Sequence, residues 1–209
     1  MKPTISRAAI GRLVLYFRAL NLAQEKGMQI ISSEDLGKLL DITPVQIRKD
    51  LALFGQFGMK GIGYFTGELI NQIGNILGLN DHLNMAIVGV GHLGGALANY
   101  KNFEALGFKL VALFDKDVRV IGSIVHNIKI SDVKNLKSII NSRNISIAAI
   151  TVPVGEAQSI ADLLVDAGVK GIWNFAPTKI IVPPDIHLVN EDLSMGLSTL
   201  SYLISKDQM

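Results

Sequence analysis

The residues of this chain most able to do chemistry fall in two clusters. The first is Gly89-x-Gly91-x-x-Gly94, reached through the apolar run MAIVGV (Met85 to Val90) and followed by Leu93, Leu97 and Tyr100 at helical spacing. A second apolar run, Leu110 to Phe114, ends in Asp115, 21 positions after Gly94. Strand, glycine loop, helix, strand and acid, in that order, are the parts of a cradle for a dinucleotide pyrophosphate. Gly89 permits the tight turn, Gly91 lets the backbone approach the phosphates, and Gly94 lets the helix pack on the strand. Asp115 is placed to accept hydrogen bonds from the adenosine ribose and to repel a 2′-phosphate, which favours NAD over NADP. Lys116 and Arg119, close behind it, blur that preference.

The second cluster is RKDLALFGQFGMKGIGY, Arg48 to Tyr64. Arg48, Lys49 and Gln46 carry the donors that reach base edges and phosphates in a major groove. Gly55, Gly58, Gly61 and Gly63 then interrupt Phe57, Met59, Lys60, Ile62, Tyr64 and Phe65, as in a small wing turning near a phosphate with Lys60 at its tip. A solvated helix face and an ordinary turn are the plainer readings of the same residues. The expected DNA-facing set is Ser33, Thr43, Gln46, Arg48, Lys49, Lys60, Gly61 and Tyr64.

These clusters need elements to hold them. Apolar residues at helical spacing from Thr4 to about Lys26 (Ile10, Leu13, Val14, Phe17, Leu20) predict one amphipathic helix stopped by Gly27. Ser32 and Asp35 form a capping box ahead of Leu36, Leu39 and Leu40, and Asp41-Ile42 makes a turn. Thr43 as N-cap, Pro44 at the first position and Gln46 at the third open the next helix, with Ile47, Leu51 and Phe54 facing inward. Two short helices joined by a tight turn predict a helix-turn-helix. Thr66 is a further N-cap candidate, for a closing helix that ends at Gly78 before the linker Asn80-Asp81-His82.

Beyond Asp115, Ile145 to Val152 reads as a buried strand closed by Pro153, Gly155 to Ala167 as a helix, and Gly171 to Phe175 as a strand. That alternation specifies an α/β fold with a doubly wound parallel sheet. Ligands of such sheets lie beyond the strand C-termini, which nominates Thr151-Val152-Pro153 and Asn174-Phe175-Ala176-Pro177 as pocket rim; both could equally be strand-exit turns. The expected cofactor set is therefore Gly89, Val90, Gly91, His92, Leu93, Gly94, Asp115, Thr151, Val152, Pro153 and Asn174. The predicted organisation is a winged helix-turn-helix domain over residues 1–80, a Rossmann-type domain over 81–189 and a C-terminal helix within 190–209.

Bulk composition narrows the classes. The 209 residues are 49% hydrophobic and 18% charged, enough apolar material for two cores. Residues 1–80 hold nine Lys/Arg against six Asp/Glu and residues 81–209 hold eleven against twelve, a mild asymmetry that permits nucleic-acid binding without requiring it. There is no cysteine, which removes disulfides, zinc-thiolate sites and thiol-based redox sensing together, and no metal is expected. No apolar run approaches a membrane span and the first residues lack a signal pattern, so a soluble, cytoplasmic protein is expected. Only about 25 residues follow the Rossmann unit, too few for a substrate domain. The histidines (His82, His92, His126, His187) form no catalytic set, so no catalytic residue is assigned and an enzyme is not expected.

At this point the residues resemble a family of bacterial redox-sensing transcriptional repressors called Rex. SSEDLGKLLDITPVQIRKDLALFGQFGMKGIGY looks like that family's winged-helix core, and IVGVGHLGGALANY, FDKD, TVP and GVKGIWNFAP look like its cofactor half in the same order. The resemblance spans nearly the whole chain. It implies a homodimer that binds a palindromic double-stranded operator when NADH is scarce and leaves it when NADH binds, with NAD and NADH as the cofactors. It also implies a C-terminal helix, here Glu191 to Ile204 with Leu193, Leu197, Leu200, Leu203 and Ile204 on its apolar face, exchanged between subunits and packed near the partner's nicotinamide. A helix packed on its own sheet is the alternative. Asp192 resembles the acid that pairs alternately with Arg18 and with Tyr100, which adds Tyr100 to the cofactor set and makes Arg18, Tyr100 and Asp192 switch residues. Met59 and Leu193 depart from the family's pattern, standing where a polar and an aromatic residue are expected. TVPVGEAQSIADLLVDAGVKGIWNF also resembles acyl-CoA-binding Rossmann domains, which leaves a small cofactor-binding subunit as the rival. A third reading is a DNA-binding protein that keeps the fold only as a dimerisation scaffold.

Overall fold

The first three helices start at side-chain caps in the computed structural model, which describes residues 5–59 and 61–207. Two units divide between Asp81 and His82. In the first, α1 (Arg7–Glu25) starts at Ser6, whose hydroxyl accepts from the Ala9 N–H. β1 (Ile30–Ile31) leads into α2 (Ser33–Leu40), opened by the full Ser32/Asp35 capping box and closed by Asp41 in the left-handed region at φ 54°. α3 (Pro44–Ala52) has Thr43 as N-cap and Pro44 at its first position. β2 (Tyr64–Phe65) then pairs antiparallel with β1, Ile31 opposite Tyr64, and α4 (Thr66–Leu77) ends at Gly78. Leu13, Tyr16, Leu20, Ile31, Leu36, Ile47, Leu51, Leu69 and Ile73 make one core. The result is a four-helix cluster with a helix-turn-helix, a two-stranded sheet and a short wing, in which Met59 and Gly63 bridge at 2.8 and 3.1 Å.

The structure corrects the expected cap of α4. Thr66 is the first helical residue and not the cap: Phe65 occupies the cap position with no side-chain bond, and the Thr66 hydroxyl is buried without a partner. Lys60, the expected wing tip, lies outside the described residues, as do Thr4 and the other residues at the two ends of the chain.

The second unit is a seven-stranded sheet in the order β5-β6-β4-β3-β7-β8-β9. In chain order its elements are β3 (Leu83–Val88), α5 (His92–Ala98), α6 (Asn102–Ala105), β4 (Phe108–Asp115), β5 (Ile124–Val125), β6 (Ile128–Asp132), α7 (Leu136–Ser142), β7 (Ile145–Ile150), α8 (Ala157–Asp166), β8 (Gly171–Asn174), β9 (His187–Asn190) and α9 (Met195–Asp207). All pairings are parallel except β5 with β6. That hairpin turns through His126 and Asn127, both at positive φ, as a two-residue type I′ connection requires. Alternate residues of β3 feed opposite faces: Ala86 and Val88 pack under α7 and α8, Met85 and Ile87 under α5. β3 is where the strand order switches, with β4 on one side and β7 on the other.

The expected helix over Gly155–Ala167 is shorter, α8 being preceded by a 3-10 turn at Val154–Glu156. The C-terminal helix starts at Met195 and not Glu191, because Asp192 folds back to accept from the Ser194 N–H at 2.8 Å and its hydroxyl at 2.6 Å. No helix among the described residues is long and apolar enough to cross a membrane.

Candidate functional sites

The glycine loop leaves β3 at the switch point. Gly89 sits at φ 95°, and a Cβ there would lie 2.8 Å from the Thr151 carbonyl oxygen; one on Gly94 would overlap the Gly89 carbonyl. A Cβ on Gly91, by contrast, would meet nothing within 4 Å. The loop is thus packed against protein at its first and third glycines and open at its second, where α5 begins. That is a cradle of the shape a pyrophosphate fills, with the helix's first N–H groups beside it. Thr151, just past β7, holds the loop from beneath: its hydroxyl is shared between the carbonyls of Gly89 (2.6 Å) and Val88 (3.1 Å). Asp115 closes the cradle on the other side, Oδ2 accepting from the Val90 N–H at 2.7 Å and Oδ1 from the Asp117 N–H at 2.9 Å. The acid is thereby fixed against the loop and keeps lone pairs free for ribose hydroxyls.

His92 is exposed, Val90, Leu93 and Val152 are half-buried, and Pro153 is exposed beyond β7. Asn174 is different: fully buried, it donates to the carbonyls of Ala176 and Thr178 and to Asn190 Oδ1, and accepts from the Ala176 N–H. Its side chain is spent on the strand-exit turn. Tyr100, 44% exposed, starts an aromatic series the sequence did not reveal. Its ring is 5.0 Å from Phe103, which is 6.0 Å from Trp173, which is 4.4 Å from Phe175. Only the single Trp in GVKGIWNF hinted at it.

In the first unit a cavity of about 460 Å³ opens between the start of α2, the outer face of α3 and the wing, lined by Ser33, Glu34, Arg48, Gly58, Ile62 and Tyr64 among others. Arg48 Nη1 donates across it to the Ser33 hydroxyl at 2.6 Å and to Glu34 Oε1 at 3.1 Å. Glu34's own backbone N–H and the Arg48 guanidinium hold that carboxyl below its usual range. Lys49 and Gly61 are exposed, and the Thr43 hydroxyl is engaged in capping Gln46 at 3.2 Å. The Tyr64 ring belongs mainly to the core, and burial raises its hydroxyl pKa.

Gln46 is not free. Its amide donates at 2.8 Å to Asp50, one turn later on α3. Asp50 is 1% exposed and also accepts from Arg12 Nε (2.6 Å) and Nη2 (2.7 Å) and from the Tyr16 hydroxyl (2.7 Å). Burial alone would raise the Asp50 pKa, but the donors from Arg12, Tyr16 and Gln46 outweigh it and hold the carboxyl below its usual range. A buried, fully satisfied acid therefore ties α3 to α1. Sequence reasoning missed it because Arg12 and Asp50 lie 38 positions apart.

Of the switch residues, Arg18 is exposed on α1 in the first unit, and Tyr100 and Asp192 are exposed in the second. Among the described residues, no group of three or more His, Cys, Asp and Glu side chains is placed to hold a metal ion.

Two family models match: a CoA-binding domain over residues 80–178 and a putative DNA-binding protein N-terminus over residues 4–52. The redox-sensing transcriptional repressor Rex of Clostridium perfringens strain SM101 is 44% identical over 208 residues, covering 100% of this chain and 98% of the relative. That of Clostridium botulinum strain Alaska E43 is 42% identical over 204 residues, 98% of this chain and 97% of the relative. Among solved structures, RSP in complex with β-NAD+ and operator DNA matches with TM-score 0.92 and 40% identity, over 99% of this chain and 95% of that one. RSP, a Rex-family repressor, in complex with β-NADH matches with TM-score 0.89 and 39% identity, over 99% and 97%.

Proposed function

Since this chain belongs to the Rex family of redox-sensing transcriptional repressors, we propose that it binds palindromic operator DNA as a homodimer and releases it on binding NADH. The observation that carries this reading is the cradle open only at Gly91 and flanked by the loop-bound Asp115, on the same chain as the helix-turn-helix and wing. Gly89 to Gly94 and Asp115 hold the dinucleotide; Tyr100, Thr151, Val152 and Pro153 line its nicotinamide side. Asn174 contributes by shaping the turn there. The bound dinucleotide supplies the redox signal and no chemistry is done on it, in keeping with a family of repressors and not of enzymes. Apolar and aromatic groups around the nicotinamide favour the neutral reduced ring over the cationic oxidised one, whose desolvation is costly.

On the DNA side, α3 enters the major groove with Arg48 and Lys49 at its surface, Gln46 held by Asp50 at its inner edge. Ser33, Thr43 and the start of α2 meet the backbone, and the wing around Gly61 and Lys60 reaches the adjacent groove, with Tyr64 as its packed base. Two such helices read half-sites only when about 34–36 Å apart, so a change in dimer angle is enough to release DNA. Arg18 and Tyr100 serve as alternate partners of Asp192 in that change. The dimer is formed by exchange of α9, whose Leu197, Leu200, Leu203 and Ile204, with Leu193 just ahead of the helix, are 52–70% exposed in the single chain, more apolar surface than a monomer leaves uncovered without a use. Operator binding places the protein in the cytoplasm.

The test is binding to a labelled palindromic operator pool at fixed salt, with and without NADH, NAD and NADPH. Tight binding released selectively by NADH is expected. No DNA binding under any condition would refute the reading and leave a CoA- or dinucleotide-binding subunit, the likeness carried by residues 80–178.

A further inference from the structure

Asp115 is followed at once by two cations, Lys116 and Arg119, of the kind that accommodates a 2′-phosphate in NADP-binding relatives of this fold. Both are paired with acids. Lys116 Nζ lies 2.8 Å from Glu156 Oε1, and Arg119 grips Asp117 through Nε at 3.0 Å and Nη2 at 2.6 Å. Lys116 leaves the end of β4 and Glu156 sits in the 3-10 turn after β7, while β4 and β7 are the two neighbours of β3. The Lys116–Glu156 pair therefore reaches across the strand end from which the glycine loop departs. With both cations paired to acids, Asp115, held by the backbone N–H groups of Val90 and Asp117, is the charge beside the ribose position that has no cation partner among the described residues.

Resting on the reading of this groove as a dinucleotide site, we propose that Glu156, with Asp117 in support, is a specificity residue: it holds Lys116 away from the ribose and so sets the chain's preference for NADH over NADPH. Asp115 repels a 2′-phosphate directly, but a free lysine one residue away would offset that repulsion in part. The acid across the sheet removes the offset. Because the 2′-phosphate is the sole difference between the two dinucleotides, this device acts on one and spares the other.

The experiment titrates NADH and NADPH separately into the full-length protein at low salt, by calorimetry or by quenching of the single Trp, Trp173, for the parent and for Glu156→Gln. The NADPH-to-NADH ratio of Kd values is expected to fall about three- to fivefold, the worth of one exposed ion pair. It should fall further in Glu156→Gln/Asp117→Asn and return toward the parent in Lys116→Ala/Glu156→Gln. A ratio that stays the same or rises in Glu156→Gln, including the case in which both Kd values move together, overturns the proposal while leaving the cofactor reading intact. Failure of the parent to bind NADH at all overturns the cofactor reading and this inference with it.

Discussion

Replacing Asp50 with alanine tests whether the buried acid holds the DNA-reading helix in place. The substitution leaves the Arg12 guanidinium, the Tyr16 hydroxyl and the Gln46 amide without the oxygens that accept from them at 2.6–2.8 Å. Breaking a buried pair by removing one partner costs about 3–5 kcal/mol. The Arg12 side chain keeps 28% of its surface, so water recovers part of that, and about 2–3 kcal/mol remains. For a unit of this size each kcal/mol moves the melting midpoint by roughly 4–8 °C. Asp50→Ala should therefore lower the midpoint of the first unit's transition by about 10 °C or more in calorimetry of the full chain, with operator affinity falling and NADH affinity unchanged. Arg12→Leu/Asp50→Leu, which removes both charges, should recover most of the loss, since the cost is the orphaned partner and not the missing attraction. The pH dependence has a definite sign. The Asp50 carboxyl titrates lower folded than unfolded, so its stabilisation is present above about pH 4 and is lost as pH falls through the folded value. An Asp50→Ala midpoint within a degree or two of the parent, or a double variant no better than the single one, would refute the argument.

Gly91→Ala should keep its melting temperature, because the added methyl meets nothing within 4 Å, yet lose at least tenfold in NADH affinity by titration; Gly94→Ala should lose both, since its methyl overlaps the Gly89 carbonyl. Arg48→Ala and Lys49→Ala should each weaken operator binding, with a log–log salt slope shallower by about 1 wherever the residue neutralises a phosphate, and leave NADH titrations unchanged. Loss of NADH binding in either variant would contradict the division of labour between the units. Thr66→Val should stabilise the first unit by up to about 1 kcal/mol in denaturant melts, because a buried hydroxyl with no partner is replaced by an isosteric methyl.

The local chemistry of this chain was legible from its residues. The Ser32/Asp35 box and Thr43-Pro44 close their bonds within four positions, so helix starts leave a compact trace in the sequence. The glycine loop does the same: its conformational demands fall on the glycines themselves, and Asp115 follows at the distance one helix and one strand require. What only the tertiary structure decided are pairings between distant residues of unremarkable type. Strands β1 and β2 have two residues each, too few to show an alternation, and become a sheet only because Ile31 meets Tyr64. Arg12 with Asp50, Thr151 with Gly89, and Lys116 with Glu156 are pairs separated by tens of positions, and nothing beside either member in the chain names its partner. Asn174, read in sequence as either pocket rim or strand-exit turn, turns its side chain inward, because a buried strand exit exposes backbone groups that need a side chain to satisfy them. Periodic and capping signals are set by bonds within one turn of chain, whereas the partners of a buried charge are chosen by chain closure over tens of residues, which leaves no local mark.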